Sequence, residues 1–234
     1  MNADDDGKSR GYASPACSMH EIDPAYMGLT APAPSKEWIT EWRRGKRQRL
    51  IEERSSLVDQ TQRDSLTAAL IARLDTVVTD VAGKRVSLYW PFKGEPDLRG
   101  WMASVNAAGG TCLLPVVTAK GQPLTFRAWK QGEKLERGVW NILFPANGPE
   151  QIPDIVIAPL VGFDHDCYRL GYGGGFFDRT LAHLGRAPLV IGVGFSQQAI
   201  ATIHPLPHDI PMDVIVTDSE VRYRETTLRP SPNI

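Results

Sequence analysis

The chain has 234 residues, 42% apolar and 23% charged, with a formal net charge of −1. That balance fits a soluble globular protein able to bury a full core and argues against nucleic-acid binding, which usually calls for a basic domain. The three cysteines, Cys17, Cys112 and Cys167, show neither a CxxC nor a Cys/His spacing, so neither a disulfide framework nor a zinc site is indicated.

No run of about 18 apolar residues is available to span a membrane. The opening Met-Asn-Ala-Asp-Asp-Asp lacks the basic and apolar regions of a secretory signal, and a reduced, cytoplasmic, soluble protein is expected. Residues 1–35 are proline-containing and without periodicity, which predicts an extension, mobile or laid over the surface. Cys17, His20, Glu21 and Asp23 cluster there, but mixed ligand types on such a segment seldom make a metal site. Residues 36–57 are strong helix formers with only Gly45 to interrupt them. Arg43, Arg47 and Arg54 fall on one face of that helix, either as part of a solvated charge run or as a cationic face over phosphates. Asp59 or Thr61 caps a second helix, whose core face is Leu66, Leu70, Leu74 and Val77.

From Lys84 the pattern alternates. Strands are expected over 86–90, 111–117, 124–129, 155–160, 189–195 and 213–217, with helices over 97–108 and 176–184. Strands separated by helices predict a mostly parallel sheet covered on both faces. In such sheets ligands bind beyond the carboxyl ends of the strands, and the turns after 90 and after 160 both leave strand ends. They are expected to share one cleft.

The most informative stretch is Arg-Leu-Gly-Tyr-Gly-Gly-Gly-Phe-Phe-Asp-Arg at 169–179, with four glycines in five positions. Glycines alone would make only a tight turn. Here they lead from the expected strand at 155–160 into a helix start, where free N–H groups and the helix dipole favour an anion. Arg169 and Arg179 flank the turn, and Asp178 is placed to hold a cation beside a phosphate. No Lys-Ser or Lys-Thr follows the last glycine and the spacing is not Gly-x-Gly-x-x-Gly, so neither standard nucleotide loop explains it. A second constellation surrounds Glu95 in Tyr-Trp-Pro-Phe-Lys-Gly-Glu-Pro-Asp. A carboxylate among aromatic rings suits a planar heterocycle carrying N–H donors, although Glu95 at the start of a helix also reads as a cap. Trp140 reads as a further flat wall or as core. Asp209 follows His204 and His208 and could join Asp178 in a minimal magnesium site.

Together these pieces resemble the 5-formyltetrahydrofolate cyclo-ligase family, also called 5,10-methenyltetrahydrofolate synthetases, over roughly residues 42–221. The resemblance rests on Tyr-Trp-Pro-Phe-Lys-Gly-Glu-Pro-Asp at 89–97, Leu-Pro-Val-Val at 114–117 and Trp-Asn-Ile at 140–142. Pro-Leu-Val-Gly-Phe-Asp at 159–164, the glycine motif at 169–179 and His-Asp-Ile-Pro-Met-Asp at 208–213 complete it. It implies an α/β fold: a three-layer α/β/α sandwich around a mostly parallel sheet, with N-terminal helices, over residues 36–225 and a tail at 226–234. It also implies that 5-formyltetrahydrofolate is cyclised to 5,10-methenyltetrahydrofolate with ATP as co-substrate and Mg²⁺ as cofactor. The partners are then these small molecules, with no nucleic acid and no membrane, and the oligomeric state is left open.

By the same resemblance, Arg169, Leu170, Gly171, Tyr172, Gly173, Gly174, Gly175, Phe176 and Phe177 hold the ATP phosphates. Arg43 and Arg47 match the family's N-terminal basic pair, with Arg44 or Lys46 as alternatives. Trp90, Glu95 and Trp140 contact the folate, Arg169 and Glu95 act in catalysis, and Asp178 and Asp209 are the magnesium carboxylates. Two features depart from the common pattern: Gly174 stands where many members have lysine, and Phe176-Phe177 where the family often has Tyr-Tyr. A non-catalytic folate or nucleotide binder is therefore a second reading. An RNA-interacting relative is a third, without a visible RNA-binding module.

Overall fold

The computed structural model describes residues 33–56, 59–185 and 187–225. Most of the expected extension, including Cys17, His20, Glu21 and Asp23, and the tail from 226 therefore lie outside the described residues. The chain divides into two units at Trp38 and Ile39, and the sheet and cleft belong to the second. The basic run folds as α1 (Lys36–Ser55), and its charges are mostly solvated, yet Arg43 and Arg54 are buried beside Ile39 and Leu50. Helix α2 (Gln60–Val77) is capped by Asp59, whose carboxylate accepts from Thr61 N at 2.9 Å. That cap contributes about 1 kcal/mol. Full burial of Leu70 and Leu74, about 2 kcal/mol each, does more to hold α2 in place.

The apolar runs give β1 (Arg85–Ser87), α3 (Arg99–Ala107), β2 (Thr111–Val117) and β3 (Leu124–Ala128). A hairpin of β4 (Leu135–Arg137) and β5 (Leu143–Pro145) comes next. After it come β6 (Ile155–Pro159), a small hairpin of β7 (Gly162–Phe163) and β8 (Arg169–Leu170), and α4 (Phe176–His183). The chain continues through β9 (Leu189–Val193), β10 (Val214–Val216) and β11 (Val221–Tyr223). The main sheet has seven strands in the order β11-β10-β9-β6-β1-β2-β3. Its five inner strands are parallel, while β3 and β11 run antiparallel at the edges.

Alternation along the strands sorts the core into two layers. Val86, Cys112, Ile157, Ile191 and Val214 face α2 and α3. Val156, Ala158, Val190 and Ile215 face the other way, toward Phe177 and Leu181 of α4. The expected α/β/α sandwich is thus present. Trp101 Nε1 donates to Asp75 at 2.7 Å and joins α3 to α2.

Several expected bounds shift. Strand β1 leaves the ladder early, and Tyr89 and Trp90 lead into a turn rather than extending the strand as far as 90. Helix α3 starts at Arg99 because Asp97 accepts from Arg99 N at 3.0 Å; Glu95 has no part in capping it. The strand feeding the glycine loop is β8, not the strand at 155–160, because the β7–β8 hairpin intervenes. The hairpin also seats α1: a Cβ at Gly162 would come within 2.7 Å of Leu50 Cδ1, so any side chain there would force Leu50 to shift.

Candidate active site

Reading outward from β1, the chain builds β2 and β3 on one side and β6, β9 and β10 on the other. The switch point between β1 and β6 is where an open α/β sheet leaves a crevice at its strand ends. A cleft of about 220 Å³ opens there, lined by both expected constellations, the glycine loop and the Glu95 segment.

The loop is shaped by left-handed backbone at Gly173 (φ 91°) and Gly175 (φ 62°), the latter being the N-cap of α4. Side chains are strained in that region. Arg47 packs under the loop, its guanidinium carbon 3.4 Å from the position of a Cβ on Gly173, and its Nε donates to Gly171 O at 2.7 Å. Burial draws the Arg47 pKa down, as does nearby Arg43, with Asp209 opposing them.

Arg169 enters the loop from β8 and is 7% exposed. Its Nε and Nη2 are buried with no hydrogen-bond partner among the described residues. Nη2 does come within 3.1 Å of Asp178 Oδ2, close enough for charge attraction but outside hydrogen-bond geometry. The guanidinium also lies 5.1 Å from the Phe177 ring centre, a cation–π contact in place of any hydroxyl. Burial pulls the Arg169 pKa down, and Asp178 and Asp209 oppose it. A buried guanidinium with an unmatched Nε at a cleft wall offers a donor that an anion could take.

Arg43 lines the same cleft but is held by the protein. Its Nε donates to Ile203 O at 2.9 Å, its Nη2 to His204 O at 2.8 Å, and the guanidinium pairs with Asp209. It clamps a turn that carries His204 at φ 52°. Of the expected basic pair, Arg47 is the member that touches the loop.

On the opposite wall, Glu95 is 7% exposed. It accepts from Phe92 N at 2.9 Å and from Tyr172 O–H at 2.8 Å. Burial pushes its pKa up to about 7, with Arg54, Tyr172 and the Phe92 N–H pulling the other way. Trp90 is half-buried, edge-on to Trp129 at 5.7 Å and under the Arg99 guanidinium. Trp140 is 49% exposed, in left-handed backbone at the tip of the β4–β5 hairpin. It is not core; it stands 6.2 Å from both Tyr172 and Phe176 at the cleft wall. Leu170, Gly171, Gly174, Phe176 and Phe177 also line the cleft.

Arg54 was legible as one of a row of cations, either solvated or facing phosphates, yet it is fully buried. Nothing local in the sequence signals this, because its carbonyl partners lie far along the chain. The buried cysteines take no part: burial raises Cys112 to about 12 and Cys167 to about 11.

Asp178 and Asp209 both line the cleft. Asp209 is firmly engaged by Arg43 and by Leu206 N at 2.6 Å. Burial raises its pKa, but these partners outweigh that and hold it low. Asp178 is more loosely held, accepting from Ile210 N at 3.3 Å. No cluster of three or more metal-type side chains occurs among the described residues. This donor set fits a magnesium ion that arrives on phosphates and keeps water and phosphate oxygens as most of its ligands. It does not make an all-protein cage.

An open, mostly parallel sheet with a cleft at its switch point, Arg169 on one wall and Glu95 among aromatic rings on the other, is an α/β fold with a candidate ligand site. The model of the 5-formyltetrahydrofolate cyclo-ligase family matches residues 39–218. A 5-formyltetrahydrofolate cyclo-ligase of Escherichia coli K12 is 28% identical over 181 residues, covering 74% of this chain and 98% of its own. One of Mycolicibacterium smegmatis is 29% identical over 147 residues, covering 58% and 75%. The solution structure of Aquifex aeolicus 5,10-methenyltetrahydrofolate synthetase superposes with a TM-score of 0.68 at 28% identity, covering 78% of this chain and 93% of that one. A Mycoplasma pneumoniae synthetase shares the fold, with a TM-score of 0.63 at 23% identity over 75% and 98%. This chain belongs to the 5-formyltetrahydrofolate cyclo-ligase family. Among its described residues no helix is long and apolar enough to cross a membrane.

Proposed function

We propose that this protein cyclises 5-formyltetrahydrofolate to 5,10-methenyltetrahydrofolate, consuming ATP with magnesium and releasing ADP and phosphate. The observation that carries this reading is the buried Arg169, its Nε unmatched and its Nη2 paired with Asp178, lining one cleft together with Glu95. Family membership supplies the reaction class.

The chemistry explains why both walls are needed. An N5-formyl amide is resonance-stabilised and a poor electrophile. Transfer of the ATP γ-phosphoryl group to the formyl oxygen turns that oxygen into part of a leaving group. N10 then attacks the activated carbon, loses its proton, and phosphate departs with the former formyl oxygen as the methenyl cation forms. Arg169, Arg47 and the N–H groups of residues 171–177 hold the triphosphate and meet the charge that develops on it. Glu95 accepts from the N–H donors of the pterin, while Trp90 and Trp140 bracket the flat rings. Asp178, with Asp209 behind it, would hold a magnesium ion, which would supply neutralisation of phosphate charge. The protein's main task is alignment of two substrates, and no protein nucleophile is required.

The test is absorbance of the methenyl product when the protein meets 5-formyltetrahydrofolate and Mg²⁺, with and without ATP. An ATP-dependent rise that R169M abolishes is expected. A flat trace from folded protein that still binds both ligands would instead favour the non-catalytic binder.

A further inference from the structure

Tyr172 lies within the glycine loop, yet its side chain belongs to the other wall. Its ring packs 5.7 Å from Phe92 and 6.2 Å from Trp140. Its hydroxyl donates to Glu95 Oε1 at 2.8 Å and accepts from Arg54 Nη2 at 2.6 Å. Arg54 is fully buried, and its two other donor nitrogens are also engaged. Nε donates to Lys93 O at 2.9 Å and Nη1 to Leu160 O at 2.8 Å. Lys93 and Gly94 have successive left-handed conformations, with φ 48° and 73°. A lysine in that region is strained, and the clamp on its carbonyl holds the turn that presents Glu95. One guanidinium thus fixes the end of β6, the Glu95 turn and the only side chain that the glycine loop sends toward Glu95 among the described residues.

We propose that Arg54 and Tyr172 are positioning residues which couple the two walls, so that filling the glycine loop with a nucleotide aligns Glu95 for the folate. The inference rests on the functional reading above and adds a property to it: the two substrates bind with positive cooperativity. A loop ordered by phosphate holds Tyr172 where its hydroxyl meets Glu95. A loop free to move releases that hydrogen bond. By reciprocity, folate tightens nucleotide binding by the same factor.

The relay also sets the protonation of Glu95. Around it stand Arg54 from α1, Arg63 from α2, Tyr172 from the loop and Tyr89 after β1, with Lys93 and Asp97 in its own turn. Of these, Arg54 and the Tyr172 hydroxyl favour the carboxylate form that can accept from pterin N–H groups. Removing the hydroxyl leaves burial less opposed.

The test is calorimetry of 5-formyltetrahydrofolate binding to the full chain, with and without a non-hydrolysable ATP analogue and Mg²⁺, from pH 6 to 9. In the wild type the analogue is expected to tighten folate binding about fivefold or more, the lower end of common coupling factors. In Y172F, a nearly isosteric change, the coupling is expected to fall below twofold. The midpoint of the pH dependence of folate affinity is expected to rise by about one unit, the size of one hydrogen bond to a charged group. R54M is expected to do the same if it folds; if it does not, Y172F decides alone. Wild-type binding of both ligands without coupling, or an unmoved midpoint and intact coupling in Y172F, overturns the relay. Failure of the wild type to bind either ligand overturns the functional reading instead.

Discussion

Replacing Arg169 by methionine separates what the ligand-free fold needs from what the ligand needs. The guanidinium is 7% exposed, its Nε is unmatched and its Nη2 pairs with the Asp178 carboxylate at 3.1 Å. The unmatched donor costs the ligand-free protein about 1–3 kcal/mol. Removing one partner of a largely buried ion pair costs about 3–5 kcal/mol, and the stacking on Phe177 is lost with it. Methionine retains most of the apolar stem. R169M is therefore expected to be less stable than the wild type by about 2 kcal/mol without ligand, while its response to nucleotide vanishes. Two charge-assisted hydrogen bonds to phosphate contribute about 3–6 kcal/mol, a loss of roughly 10²–10⁴ in kcat/KM for ATP. Urea unfolding of both proteins, with and without an ATP analogue and Mg²⁺, measures both effects. An R169M that gains as much stability from nucleotide as the wild type would refute the reasoning: Arg169 would then be a structural arginine.

Glu95 is expected to make stability depend on pH in a stated direction. Its folded pKa of about 7 lies above the ordinary 4.5, so the folded state holds a proton that the unfolded state releases. Its contribution is full below about pH 4.5 and is lost as pH rises through 7, by about 3 kcal/mol. The urea midpoints of E95Q are expected to lack that decline between pH 5 and 8; equal declines in both proteins would contradict the assigned burial. W140A, at a half-exposed site, is expected to change stability by less than about 0.5 kcal/mol while raising the KM for folate about tenfold; an unchanged KM would remove Trp140 from the site. G175A places a side chain at φ 62° and 2.7 Å from Arg179 Nη1. A cost of about 1–2 kcal/mol, with weakened nucleotide binding, is expected in thermal unfolding followed with and without the analogue.

The sheet was readable because its inner strands are continuous apolar runs, as strands buried on both faces must be. The glycine loop was readable because so dense a cluster has few structural uses. The small hairpins β4–β5 and β7–β8 were not: two or three residues carry no periodicity, and their existence depends on pairing within a folded context. For the same reason the loop was assigned to the wrong feeding strand. Arg43 and Arg54 looked like their solvated neighbours because a buried arginine differs from an exposed one only in its partners. Those partners are carbonyls, an aspartate and the Tyr172 hydroxyl, all more than a hundred residues away save for Lys93. Glu95 was found by its aromatic company, but its bond to Tyr172 was out of reach, since a loop tyrosine gives no hint of which wall it faces.

The central claim is that ATP activates the formyl oxygen within this cleft. It is tested most directly with 5-formyltetrahydrofolate carrying ¹⁸O in the formyl group, by mass analysis of the phosphate released during turnover. One labelled oxygen in each inorganic phosphate, formed one-for-one with methenyl product, is the expected result. Unlabelled phosphate, or product formed without ATP consumption, would contradict the account.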